Sequence, residues 1–165
     1  MKIPANLVRS AVVALGLSAG GVAFLQTEEG HSNRVYLDSV GLPTVCTGHM
    51  DRSMKVGAWY SDKECAELLR RDTGSVHAML VRNIKVPLYQ WEYDALMSFC
   101  INVGNTACAT STLFKKINRG DYAGAGSEFG RWTRAAGRDC RVRANQCYGI
   151  VLRREKERAL WQGEY

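Results

Sequence analysis

At 165 residues, 46% hydrophobic and 23% charged, the chain has the make-up of one globular domain with a real core, which excludes disorder and fibrous repeats as its main theme. A formal net charge of +6 and a pI near 9.1 favour a polyanionic partner, without choosing among nucleic acid, anionic lipid and an acidic wall polymer. Six cysteines, with no Cys-x-x-Cys among them, speak for disulfides in an oxidising compartment. His31, His49 and His77 stand at no ligand spacing to those cysteines, so no metal is expected.

Lys2 and Arg9 open the chain, and Ser10 to Thr27 then runs 18 residues without a charge. The run is near the lower length limit for a membrane span, but Gly16, Ser18, Gly20 and Gly21 dilute it. Three readings stay open: a signal peptide cut near Gly21-Val22-Ala23, a permanent anchor, and a weak anchor able to leave the bilayer. All three place Lys2 and Arg9 in the cytoplasm and the remainder outside, in agreement with the disulfides. The chain therefore divides into a membrane segment, residues 1–27, and one compact domain, residues 28–165.

Glu28 to His49 is rich in loops, with short strands expected at Arg34–Asp38 and Pro43–Cys46 about a turn at Ser39–Gly41. Asp51 to Tyr60 has no clear period. Ser61-Asp62-Lys63-Glu64 is a capping box, and apolar Cys65, Leu68, Leu69, Val76, Met79 and Leu80 extend the helix behind it to about Arg82. A helix of about twenty residues spans some 30 Å, enough to join two lobes. Pro87 suits the start of a helix over Leu88–Val103 that stops at Gly104-Asn105. Further helices are expected over Ser111–Asn118, over Tyr122 to about Trp132 behind an Asp121 cap, and over Ile150–Trp161, with a basic loop at Gly137–Gly149. A small strand-bearing lobe joined by a long helix to a larger helical lobe is an α+β fold. Trp59, Trp91, Trp132 and Trp161 are read as core residues ahead of sugar-stacking ones.

Glycosidic cleavage needs a protonated acid beside the leaving oxygen and a second polar group on the far face of the sugar. Glu29 ends an apolar helix, where partial burial and the helix's negative end both favour the protonated carboxyl. Asp38 lies in a polar turn and suits the ionised role, and the Thr44 hydroxyl can hold a water. Two acids at this spacing are common, so the pair alone is a weak signal.

Glu29-Gly30, Tyr36-Leu37-Asp38, Gly41-Leu42-Pro43-Thr44 and Gly48-His49 together resemble the active-site signature of phage-type lysozymes (endolysins). Ser98 to Gly104, Ser111-Thr112-Leu113, Asn118 to Asp121, Trp132, and Arg153-Arg154 with Glu157 resemble the second lobe of that family. The resemblance, over roughly Gln26 to Trp161, implies a lysozyme-like fold with Glu29, Asp38 and Thr44 catalytic. It implies hydrolysis of the N-acetylmuramic acid–N-acetylglucosamine β-1,4 bond in peptidoglycan, with net inversion and no cofactor. Asn102 and Arg153 are expected to contact glycan in the cleft between the lobes. Cys46, two residues past Thr44, departs from the family's usual glycine, and His31 stands where an apolar residue is more usual; no catalytic role is given to His31, and His49 is read as a structural hydrogen-bonder ahead of a proton shuttle.

The N-terminus resembles the signal-anchor-release endolysins of lambdoid phages. That implies an enzyme tethered inactive to the host inner membrane through residues 10–27, with its domain in the periplasm, and then released to lyse the cell. With no cysteine in residues 1–45, activation is expected by refolding and not by thiol exchange from the tether. Proximity in the chain suggests Cys140–Cys147 and Cys100–Cys108, leaving Cys46 with Cys65. No nucleic-acid module surrounds Arg138, Arg141, Arg143, Arg153, Arg154 and Arg158, so the expected partners are peptidoglycan and membrane, and the enzyme is expected to be a monomer. Two other readings are a lytic transglycosylase, which has no use for a water-holding pair, and a non-enzymatic wall-binding or membrane-disrupting protein.

Overall fold

The computed structural model describes residues 8–38 and 41–164. Lys2 lies outside them, as do Ser39 and Val40 of the expected turn. Residues 8–18 form a strap across the helical lobe. Ser10 and Leu88 exchange both backbone hydrogen bonds, at 2.8 and 2.9 Å. A 3-10 turn, Val12–Ala14, then drops Val12 into the main core. Helix α1, Ala19–Glu29, follows. Ser18 caps it by accepting from the Gly21 N–H at 3.0 Å, while its own hydroxyl donates to buried Asp94 at 2.6 Å. Residues 10–27 are thus part of the domain in this structure, and no helix among the described residues is long and apolar enough to cross a membrane.

Strands β1 (Ser32–Leu37), β2 (Pro43–Cys46) and β3 (His49–Met50) form an antiparallel sheet in that order, with Thr44 opposite Tyr36 on one side and Met50 on the other. Val35, Val45, Cys46 and Cys65 make its small core. The Cys46–Cys65 disulfide fastens this sheet to helix α2, Asp62–Asp72, and closing a loop of 19 residues contributes about 3 kcal/mol. The Ser61–Glu64 capping box is formed. The helix expected to run on to Arg82 is broken, however, and α3, Gly74–Asn83, starts anew. At the break the Thr73 hydroxyl donates to the Leu69 carbonyl at 2.7 Å, a back-bond that bends helices, and Gly74 adds backbone freedom.

Helix α4, Gln90–Val103, is the axis of the large lobe, buried without interruption from Glu92 to Cys100. It begins two residues later than Pro87 suggested, because Leu88 is bridged to Ser10. Gly104, at φ +86°, ends it. A short helix α5, Asn105–Ala109, which the sequence did not signal, is folded back on α4 by the Cys100–Cys108 disulfide. Helices α6 (Thr112–Ile117) and α7 (Tyr122–Glu128) follow, the latter stopping short of Trp132 in a 3-10 turn. The basic loop holds a two-stranded hairpin, β4 (Arg134–Ala135) and β5 (Arg138–Asp139), and the Cys140–Cys147 disulfide. There Arg141 hydrogen bonds pull the Asp139 carboxyl down to about 2. Helix α8, Gly149–Trp161, packs along α4. Of the tryptophans, Trp161 is core and Trp91 and Trp132 pack against the core, but Trp59 is 65% exposed.

Candidate active site

Glu29 is the last residue of α1, directly before Gly30, whose φ of +80° turns the chain into β1. Its carboxyl lines a cleft of about 470 Å³ between the lobes. Leu25, Leu69, Val76 and Ile101 give that cleft apolar walls, and Thr47, Asp72 and Asn105 give it polar ones. The partial burial expected of Glu29 is present, but with a positive charge beside it. Its side chain is 34% exposed, and Oε1 lies 2.7 Å from Nη1 of Arg153.

Asp38, just past the end of β1, and Thr44, on β2, are organised by one residue, Leu42. The Leu42 amide donates to Asp38 Oδ1 at 2.9 Å, and its carbonyl accepts from the Asp38 amide at 3.0 Å and from the Thr44 hydroxyl at 3.1 Å. Thr44 is 4% exposed, and with its hydrogen committed to Leu42 its oxygen lone pairs are left to accept. Neither residue is among those lining the cleft volume around Glu29, so the hairpin carries them as a separate pair on the small lobe.

Arg153, expected at the glycan, has its charged end inside the protein. It is buried, with its guanidinium committed to Glu29, Glu157 and Ser98. Arg154 is likewise inside the protein, and Asn102, itself exposed, accepts from it at 2.6 Å. Asn102 and Arg153 line a second hollow with Glu28, Gln146 and Lys156. The reason is chemical. Two guanidiniums on one helix face can be buried when a carboxylate three and four residues on supplies their counter-charge, and Glu157 does.

Sequence reasoning passed over two features. One is the ionic group around Glu157, whose signal was the Arg153-Arg154-x-x-Glu157 spacing. The other is the cleft wall at Asp72 and Thr73. His49, as expected, is a hydrogen-bonding structural residue there, with Nδ1 2.7 Å from Asp72. His31 is held by Thr47 and Asn33 on the surface.

The family model described as Phage lysozyme matches residues 26–157. The chain is 36% identical over 156 residues to a SAR-endolysin of Escherichia phage 933W, covering 91% of this chain and 88% of the relative. It is 37% identical over 167 aligned positions to a SAR-endolysin of Escherichia phage Mu, covering 96% and 92%. A crystal structure of a P22 lysozyme variant superposes with a TM-score of 0.78 at 32% identity, over 90% of this chain and 99% of that one.

Proposed function

Since the chain belongs to the phage lysozyme family and is a peptidoglycan-hydrolysing enzyme, we propose that it cuts the β-1,4 bond between N-acetylmuramic acid and N-acetylglucosamine, with Glu29 as the acid. Glu29 protonates the leaving oxygen, and Asp38 with Thr44 holds the attacking water on the other face of the sugar. The observation that carries this reading is the placement of Glu29 at a helix end in the inter-lobe cleft, held by Arg153. Residues 1–27 act first as a tether to the inner membrane and residues 28–165 as the catalytic domain. After release, residues 8–27 take the docked place described above and the enzyme works free in the periplasm. The names of the relatives, SAR-endolysins, support this order of events.

The ends left on digested peptidoglycan test the chemistry. Hydrolysis leaves reducing muramic acid ends, which borohydride reduces and mass spectrometry then counts. A predominance of 1,6-anhydro ends, which borohydride leaves untouched, would replace hydrolysis by transglycosylation and remove the roles of Asp38 and Thr44. Asp38→Asn is expected to slow release of reducing ends by at least about 100-fold.

A further inference from the structure

Arg153 has three edges, and all three are held. Nη1 meets Glu29 at 2.7 Å, Nε meets Glu157 Oε1 at 3.0 Å, and Nη2 donates to the Ser98 carbonyl and hydroxyl oxygens at 3.1 and 3.2 Å. The Ser98 hydroxyl donates in turn to the same Glu157 oxygen at 2.7 Å. The other Glu157 oxygen lies 3.2 Å from Nε of Arg154, whose guanidinium sits over the Phe99 ring and donates to Asn102. Glu157 has no exposed surface. From α1 the groups facing this cluster are Glu29 and Glu28, the latter paired with Lys156; from α4 they are Ser98 and Asn102; from α8 itself they are Arg153 and Arg154.

We propose that Glu157 is a positioning residue for the acid, acting through Arg153: it fixes where the guanidinium holds Glu29 and shares its positive charge between two carboxylates. The proposal rests on the reading of Glu29 as the acid. A guanidinium is a rigid fork with a fixed place for each partner. Without Glu157, its Nε edge has no counter-charge and its whole charge falls on Glu29. Burial pushes the Glu157 carboxyl up, and Arg154, the Ser98 hydroxyl and Arg153 oppose that push.

The test is Glu157→Gln in the full-length released enzyme, assayed on soluble glycan fragments across pH. Gln keeps the volume and an oxygen for Ser98 and Arg153 but removes the negative charge. The ionised form of Glu29 then gains the undivided charge of Arg153. The alkaline limb of kcat/KM, where a general acid loses its proton, moves to lower pH. Misplacement of the acid lowers kcat by about 10- to 100-fold, with KM within about twofold.

A limb that stays in place while kcat falls only in step with Tm would overturn the proposal and leave Glu157 a packing residue. Arg153→Lys covers the case in which Glu157→Gln does not fold. It retains the charge but not the fork, and is expected to lose kcat about 10-fold or more; wild-type kcat in Arg153→Lys also overturns the proposal. Glu29→Gln run alongside separates the two ideas, since full activity there defeats the reading of the acid itself.

Discussion

Glu29→Gln is expected to slow the clearing of purified peptidoglycan by about 100- to 10,000-fold, the range a general acid contributes. The substitution is nearly isosteric. Its amide oxygen still accepts from Arg153, so the 2.7 Å contact that places the side chain in the cleft is retained in form. What is lost is the proton for the leaving oxygen. Because Glu29 is a third exposed and ends a helix, the fold has little stake in it, and Tm is expected within about 2 °C of wild type. Turbidity measured at matched protein concentration reads the first quantity and thermal unfolding the second. Equal clearing by variant and wild type would remove Glu29 from the chemistry and return the cleft to a binding role.

Arg9→Ala is expected to destabilise the released enzyme by about 3 kcal/mol, the cost of stripping one partner from a buried ion pair. Glu92 is 3% exposed and receives Arg9 through two nitrogens, at 2.7 and 2.9 Å. The guanidinium also lies 3.6 Å from the centre of the Tyr122 ring and 4.3 Å from that of Tyr89, which adds cation–π attraction. The Glu92 hydrogen bond, opposed by burial and helped by the Glu92 charge, raises the Arg9 pKa further. Urea unfolding of wild type, Arg9→Ala, Glu92→Gln and the double variant forms a cycle. The double variant should cost well under the sum of the singles. A loss below about 1 kcal/mol for Arg9→Ala would show the pair to be a surface contact of small worth.

What could be read without coordinates was local. The Ser61–Glu64 box, the strands about Gly41 and the Asp121 cap each depend on residues a few positions apart, and each formed where its pattern stands. Features set by distant partners were not legible. An uncharged run of Ala, Val, Leu and Gly reads as a lipid segment. Only the structure shows Ser10 bridged to Leu88, Ser18 bonded to Asp94 and Val12 in the core. Arg153 and Arg154 read as surface charge because guanidiniums are rarely buried, and their burial depends on Glu157. Glu29, Asp38 and Thr44 stood out through a multi-part family pattern, since two carboxylates nine apart carry little information alone.

The strap and α1 also bear on how the tether can be studied genetically. Under the proposed order of tether and release, these residues face lipid first and protein second. A Cβ at Gly21 would meet the Asp94 carboxylate at 2.5 Å, so this glycine is fitted to α4, whatever its effect on bilayer affinity. Gly16, by contrast, has open space around its Cβ position. Leucine at either position makes the segment greasier and slows its departure from membranes. Leucine at Gly21 also bars the docked form, so enzyme extracted with detergent stays impaired there, whereas Gly16→Leu enzyme regains full clearing once solubilised. An anchor-strengthening screen that pooled the two would conflate retention in lipid with loss of the seat on α4; scored apart, they separate escape from assembly.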